Sequence, residues 1–125
     1  MTGDESFSFT AGELETLSRL GVNVKVVLFN NQSYGWIRAS MLFRYGPKYF
    51  TTEFKPVDYM KIAEGFGLTA FKAERSEELD RILREAFKLD ESAFVGVIVE
   101  PEDKLVSPVP SWARRAKELG LRYVY

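Results

Sequence analysis

Two short polar stretches carry the residues of this chain that could do chemistry. Gly3-Asp4-Glu5 offers a carboxylate in a glycine turn, and 24 residues separate Glu5 from Asn30-Asn31, which ends an apolar run. A carboxylate and a carboxamide can converge on one hard cation and leave its other positions for phosphate oxygens. The spacing therefore indicates a cofactor site built around a cation.

Alternating helices and strands must position these two stretches. Residues 22 to 29 are β-branched and almost continuously apolar, which predicts a strand covered on both faces. A helix is predicted at 11 to 20, with a Thr10 and Glu13 capping box and a stop at Gly21. The remaining predicted elements are a short helix at 34–44, a helix from Pro56 to about 66, a strand at 68–74, a helix at 76–88 capped by Ser76, a strand at 94–99, an extended loop at 101–110, and a last helix capped by Ser111.

This order of elements predicts an α/β fold with a mainly parallel sheet and right-handed crossovers. In such sheets, ligands bind outside the carboxyl ends of the strands, and Asn30-Asn31 lies at one of these ends. Asp4 reaches the same edge only if the residues before it form a neighbouring strand. Only Met1 and Thr2 precede Gly3, so that strand is expected to be missing.

Composition bounds the function classes. At 125 residues the chain predicts one domain, and its formal net charge of -1 gives no basic surface for a nucleic acid or an anionic membrane. Without His or Cys, thiolate metal sites and histidine general bases are excluded. The short apolar runs and the acidic start predict a soluble cytoplasmic protein. The scarcity of Asn and Gln, with 28% charged residues, is typical of a heat-adapted source.

Gly3-Asp4, a helix, a strand and Asn30-Asn31 together resemble the diphosphate-binding signature of thiamine diphosphate (TPP) enzymes, which is Gly-Asp-Gly, about two dozen residues, then Asn-Asn. The segments 10–16, 24–31 and 104–110 look like the acetolactate synthase branch. The resemblance covers about residues 2 to 110. It implies the three-layer, doubly wound TPP-binding fold, here a single partial diphosphate domain over 1–125 with a C-terminal helix and tail at 111–125.

The resemblance also implies site residues. Mg²⁺ would be bound by the Asp4 carboxylate, the Asn31 side-chain oxygen and the Ser33 main-chain carbonyl, with two diphosphate oxygens and a water completing the octahedron. Main-chain amides near Glu5, Ser6 and Gly35 would face the diphosphate of thiamine diphosphate. No catalytic residue is expected in the chain itself.

Two departures from the family pattern define the alternatives. Glu5 stands where the family has a second glycine. The separate pyrimidine domain, which supplies the glutamate that activates the aminopyrimidine, does not fit in 125 residues. The chain is therefore either a cofactor-binding module of a 2-keto acid decarboxylating or ligating enzyme, silent alone, or a non-catalytic relic or interaction domain. Its expected partner is a pyrimidine-domain chain or, through an unpaired sheet edge, a second copy.

Overall fold

The computed structural model describes residues 1–101 and 110–120. Their elements, in chain order, are β1 (Thr2–Gly3), α1 (Asp4–Thr10), α2 (Glu13–Leu20), β2 (Lys25–Asn30), α3 (Gly35–Tyr45), α4 (Tyr59–Gly65), β3 (Thr69–Ala73), α5 (Ser76–Lys88), β4 (Ala93–Ile98) and α6 (Pro110–Glu118). They form two compact units. The first consists of Met1–Asn30 and Pro56–Val99, and the second of Asn31–Lys55 and the described residues from Glu100 onward.

The first unit contains a parallel sheet with the strand order β1-β2-β4-β3. β2 pairs with β4 along its whole length, from Lys25 opposite Ala93 to Asn30 opposite Ile98. β1 pairs with β2 at two positions only, where Thr2 lies opposite Leu28. The α/β fold with a parallel sheet is confirmed, and a short form of the strand before Asp4 is present after all.

Helices cover both faces of this sheet, so the first unit has three layers. On one face, α1, α2 and α4 pack against β2 and β4 in a core of Phe7, Leu14, Leu28, Tyr59, Ala63, Leu68 and Phe94. On the other face, α5 packs in a core of Val27, Ala73, Ile82, Ala86, Ala93, Val95 and Val97. Successive strand residues point to opposite faces, which explains why both cores draw on β2 and β4.

The second unit is built on α3 and α6, which contact each other. The predicted aromatic-rich helix at 34–44 is confirmed as α3, which buries Ala39, Leu42 and Phe43. An antiparallel bridge joins Ser33 to Glu53. The division into two units does not test the predicted single domain, which stays a prediction.

The predicted helix at 11–20 is confirmed only from residue 13. Residues 4 to 10 already form α1, and the two residues between the helices keep helical angles, with φ −55° at Ala11 and φ −62° at Gly12. Thr10 is the last residue of α1, its hydroxyl donates to the Phe7 carbonyl, and no side chain caps α2, so the predicted Thr10 capping box is wrong. The predicted stop is correct, because Gly21 ends α2 in the left-handed region at φ 60°.

Other boundaries shift by a few residues. α4 begins at Tyr59 rather than Pro56, because the Asp58 side chain caps it by accepting the Lys61 N–H at 3.2 Å. α5 has the predicted range, but its N-cap is Arg75 rather than Ser76, and Glu78 accepts the Arg75 N–H. The predicted strands are confirmed, with every end shifted by one to three residues.

The C-terminal helix is confirmed, with one correction. α6 begins at Pro110, so Ser111 lies inside the helix instead of capping it. Most of the predicted extended loop, at 102–109, and the tail at 121–125 lie outside the described residues. In the part of the chain that the structure describes, no helix is both long and apolar enough to cross a lipid bilayer.

Candidate functional site

Asp4 lies where β1 ends and α1 begins. Gly3 precedes it in an extended conformation, and the Asp4 residue is only 1% exposed. Its Oδ1 accepts a hydrogen bond from the main-chain N–H of Glu5 at 3.1 Å. Burying an ionised carboxylate is costly unless hydrogen bonds or a cation compensate its charge. The predicted metal ligand therefore occupies a buried position at the carboxyl edge of the sheet.

The register of the sheet brings Asn30 to the same edge. Gly3 lies opposite Phe29, and Asp4 and Asn30 are the residues that follow this pair in the two strands. Asn30 is buried, and its carbonyl accepts the N–H of Val99 at 3.0 Å. Two residues of β1 thus suffice to carry Asp4 to the carboxyl end of β2.

Two hydroxyl groups that sequence reasoning missed lie beside the start of α1. Ser8 Oγ donates to the main-chain carbonyl of Asp4 at 2.8 Å and is 3.4 Å from the Tyr59 hydroxyl oxygen. Burial raises the pKa of the Tyr59 hydroxyl, the Ser8 hydrogen bond lowers it in part, and the negative charge of Asp4 raises it further. Positions 8 and 59 are 51 residues apart, so no local pattern could have paired them.

The second unit begins with the other predicted metal ligands. Asn31 Oδ1 accepts a hydrogen bond from the Ser33 N–H at 3.0 Å, which closes a turn around Gln32 at φ 57°. Asparagine side chains commonly stabilise such turns.

A short antiparallel ladder holds this turn in place. Main-chain hydrogen bonds of 2.8 and 2.9 Å join residues 32–34 to residues 52–54. Ser33 is 3% exposed, yet neither its Oγ nor the Oγ1 of Thr52 has a hydrogen-bond partner within the described residues. Buried polar atoms without a partner are uncommon, which is consistent with a ligand or a water molecule at this turn.

Arg38 connects α3 to the segment that follows it. Its guanidinium lies 3.9 Å from the centre of the Tyr49 ring and forms an ion pair with Glu53. A cleft of about 230 Å³ opens beside this ion pair, lined by Asn31, Gln32, Ser33, Arg38, Glu53, Phe54 and Pro101. Two of the predicted site residues thus share one cleft within the second unit.

The remaining predicted contacts are main-chain amides at the starts of helices. Glu5 and Ser6 lie in the first turn of α1, and Gly35 is the first residue of α3. The Glu5 N–H donates to the Asp4 carboxylate in this structure. Contact of these amides with a diphosphate stays a prediction.

The predicted site residues divide between the two units. Asp4, Glu5 and Ser6 belong to the first, whereas Asn31, Ser33 and Gly35 belong to the second. Within residues 1–101 and 110–120, no group of three or more His, Cys, Asp or Glu side chains could hold a metal ion. The predicted magnesium site contains a single carboxylate and two neutral oxygens, so this finding does not test it.

Comparison with known proteins decides the family. The family described as "Thiamine pyrophosphate enzyme, C-terminal TPP binding domain" matches residues 1–97. The chain belongs to this family. The matched region includes both polar stretches, Gly3-Asp4 and Asn30-Asn31, and the predicted resemblance is confirmed.

Curated relatives of this TPP-binding domain include several enzymes. The mitochondrial acetolactate synthase of Schizosaccharomyces pombe is 28% identical over 108 residues, which cover 86% of this chain and 16% of the relative. A probable acetolactate synthase large subunit of Methanococcus aeolicus is 29% identical over 115 residues, or 91% of this chain and 19% of the relative. A 2-hydroxyacyl-CoA lyase of Oryza sativa subsp. japonica is 38% identical over 104 residues, covering 79% and 18%. The chain thus spans less than a fifth of each relative.

A solved structure supports the fold of the TPP-binding domain. The thiamine diphosphate-dependent 4-hydroxybenzoylformate decarboxylase of Rhodococcus jostii RHA1 matches with a TM-score of 0.74. The match is 19% identical and covers 81% of this chain and 19% of that chain. At this identity the likeness shows the fold alone, and it agrees with the predicted TPP-binding architecture.

Proposed function

We propose that this chain binds thiamine diphosphate together with Mg²⁺, as the diphosphate-binding module of an acetolactate synthase-like or 2-keto acid decarboxylase-like enzyme. Membership of the TPP-binding family over residues 1–97 is the observation that carries the proposal. The buried carboxylate of Asp4, directly after β1, supports it. Hard cations prefer such oxygen ligands, and ligands of α/β sheets bind at this edge.

The donor set fits magnesium. The proposed ligands are the Asp4 carboxylate, the Asn31 amide oxygen and the Ser33 main-chain carbonyl, all oxygens, as Mg²⁺ prefers. The buried Ser33 Oγ is a further polar atom that a bound ligand or its water could satisfy. The proposed diphosphate contacts are the main-chain amides of Glu5, Ser6 and Gly35, because the N–H groups at helix starts face anions, and the Glu5 N–H would exchange its bond to Asp4 for one to the diphosphate.

The chain is proposed to be silent as a catalyst on its own. When bound, thiamine diphosphate supplies the electron sink for carbanion chemistry, and the protein binds and orients it. The chain has no His or Cys to move protons, and it spans less than a fifth of its relatives. Activity is therefore proposed to require a pyrimidine domain with its activating glutamate, from another chain or segment.

Glu5 favours the alternative function, a non-catalytic relic or interaction domain. Glu5 is half-buried in the first turn of α1, one position after Asp4. A second carboxylate beside a diphosphate repels it, more strongly where water is excluded. If this repulsion dominates, the fold persists without the cofactor.

Calorimetric titration with thiamine diphosphate, in MgCl₂ and then in EDTA, tests the proposal. We expect heat that requires Mg²⁺, and an affinity at least about tenfold lower in Asn31→Ala and Asp4→Ala, because each removes a metal ligand. Asn23→Ala is the matched control, since Asn23 is exposed and bonds to Asp90. Circular dichroism of each variant verifies its fold.

Glu5→Gly separates the two candidate functions. If the wild-type chain binds no cofactor at millimolar concentration and Glu5→Gly binds it, the alternative is supported and Glu5 is its cause. If neither binds, the proposed cofactor function is wrong. If both bind, we expect Glu5→Gly to bind more tightly, because it removes the repulsion.

We also propose a second copy of this chain as a partner, through the edge of β2. Within the described residues, β1 covers only the carboxyl half of that edge, from Leu28. Val24 is 40% exposed beside the uncovered half, and exposed strand edges tend to pair with other chains. Sedimentation velocity at micromolar concentration should show a dimer that Val24→Lys weakens. A wild-type monomer would contradict this pairing.

A further inference from the structure

A chain of hydroxyl groups ties the start of α1 to the start of α4. Ser8 Oγ donates to the main-chain carbonyl of Asp4 at 2.8 Å. The Ser8 Oγ also lies 3.4 Å from the Tyr59 hydroxyl oxygen, a contact in which either oxygen can donate. These contacts link Tyr59 through Ser8 to Asp4.

The hydrophobic core fixes the Tyr59 end of this chain. Tyr59 is 4% exposed, and its ring lies edge-on to Phe7, with centroids 5.7 Å apart at 75°. The Phe7 ring in turn lies 5.2 Å from that of Phe94 in β4. Asp58 caps the helix that begins at Tyr59. The hydroxyl thus has a defined position before any ligand arrives.

Hydrogen bonds contact both the main-chain carbonyl and the side-chain carboxylate of Asp4. Its carbonyl accepts the Ser8 hydroxyl, and its Oδ1 accepts the Glu5 N–H at 3.1 Å. The first contact adds a side-chain hydrogen bond to the helix turn that begins at Asp4, and the second is one contact of the carboxylate. Loss of the Ser8 hydroxyl therefore removes one of the hydrogen bonds that hold this turn.

We propose that Tyr59 and Ser8 are positioning residues that hold the first turn of α1, so that the Asp4 carboxylate keeps the orientation an octahedral metal ion requires. The inference rests on the proposed function, in which Asp4 binds Mg²⁺. Mg²⁺ demands near-ideal octahedral geometry, whereas Ca²⁺ accepts flexible geometries with more ligands. A loosened Asp4 should therefore weaken Mg²⁺ binding more than Ca²⁺ binding.

The first test needs no cofactor. Amide hydrogen exchange, followed by NMR, should be roughly two- to tenfold faster at Glu5 in Tyr59→Phe, which breaks one modest hydrogen bond, and in Ser8→Ala, which breaks two. Ser8→Thr keeps the hydroxyl and should restore slow exchange. Tyr45→Phe is the matched control, because Tyr45 is 65% exposed in α3. Unchanged exchange in Tyr59→Phe and Ser8→Ala would overturn the proposal.

The second test measures the metal. Thiamine diphosphate binding is titrated with MgCl₂ and separately with CaCl₂. In Tyr59→Phe and Ser8→Ala, the half-saturating Mg²⁺ concentration should rise roughly two- to tenfold, and that of Ca²⁺ should rise less. The double variant should resemble Ser8→Ala, because both changes break the same chain.

The two tests separate the positioning role from the cofactor function. If the wild-type chain binds no cofactor with either ion, the proposed function fails, while faster exchange at Glu5 still establishes that Tyr59 and Ser8 hold Asp4. If the cofactor binds but both ions weaken equally, or Ser8→Thr behaves like Ser8→Ala, the hydroxyl chain does not orient the carboxylate and the inference is wrong.

Discussion

Gly96 tests how closely α4 packs on the sheet. It lies in β4, opposite Leu28 in β2 and Lys72 in β3. A Cβ at this position would lie 2.4 Å from the Met60 Sδ in α4 and 3.8 Å from the main-chain oxygen of Phe71. Comfortable contacts between such atoms are about 3.5 to 4.0 Å. The Met60 thioether would therefore have to move by about 1 Å or more.

The expected effect of Gly96→Ala is the balance of two opposing terms. Overpacking a core costs about 1 to 3 kcal/mol, and the flexible Met60 side chain places this cost at the lower end. Replacing glycine also restricts the unfolded chain, which stabilises by about 0.4 to 1 kcal/mol. We expect a net loss of about 0.5 kcal/mol in the free energy of unfolding. Gly65 lies in α4, the helix that contains Met60, and a Cβ at Gly65 would have no atom within 4 Å. Gly65→Ala should therefore be neutral or stabilising by up to about 1 kcal/mol.

Urea unfolding followed by circular dichroism measures both variants. With a slope of about 1 to 2 kcal/mol/M, the Gly96→Ala midpoint should fall by roughly 0.25 to 0.5 M. Met60→Ala removes the clashing thioether, so the double variant should be about 1 kcal/mol more stable than the sum of the single effects. Additive effects, or a Gly96→Ala variant as stable as Gly65→Ala, would refute the close packing of α4 on β4.

Three further predictions concern the ionisation of Tyr59 and two residues, Gly21 and Thr51, whose backbone lies in the left-handed region. Because burial and then the Asp4 charge raise the pKa of Tyr59, the folded state holds this proton more tightly than the unfolded chain. The stabilisation is complete below about pH 10 and declines as pH rises above it, so the urea midpoint should fall less between pH 9 and 11 in Tyr59→Phe than in the wild type. Gly21→Ala, at φ 60°, should cost about 1 kcal/mol, whereas Gly12→Ala, at φ −62°, should not destabilise. Thr51→Gly should raise the thermal midpoint slightly, because Thr51 is strained at φ 54°, and an unchanged or lower midpoint would contradict that strain.

The elements with strong local patterns were predictable from sequence. The range of α5 follows from its regular apolar spacing, which tertiary packing then buries at Ile82 and Ala86. β2 follows from its β-branched run, although residues 22 to 24 are not part of the strand. There the Val24 N–H bonds to the Ser92 hydroxyl instead of a strand neighbour, a contact across 68 residues that local pattern cannot report.

α1 was missed because its residues favour no helix on their own. Its sequence, Asp4 to Thr10, contains two Ser, two Phe and a Thr, which have modest helix propensity. Burial of Phe7 between Tyr59 and Phe94 decides its conformation. The capping error at Thr10 has the same origin, since a cap can be placed correctly only when the preceding residues are known not to be helical.

The spacing of the site residues indicates which ligands they could bind, but the contacts that hold them are long-range. Asp4 reaches the carboxyl edge through a two-residue strand whose partners, Leu28 and Phe29, are 26 residues away. Its helix turn is then linked through Ser8 to Tyr59, on the helix whose Met60 side chain packs against Gly96. Metal affinity should therefore respond to Gly96→Ala as well as to Tyr59→Phe, although Gly96 lies outside the motif. The precision of the proposed magnesium site is therefore a property of how α4 packs on β4 as well as of the residues within Gly3-Asp4 and Asn30-Asn31.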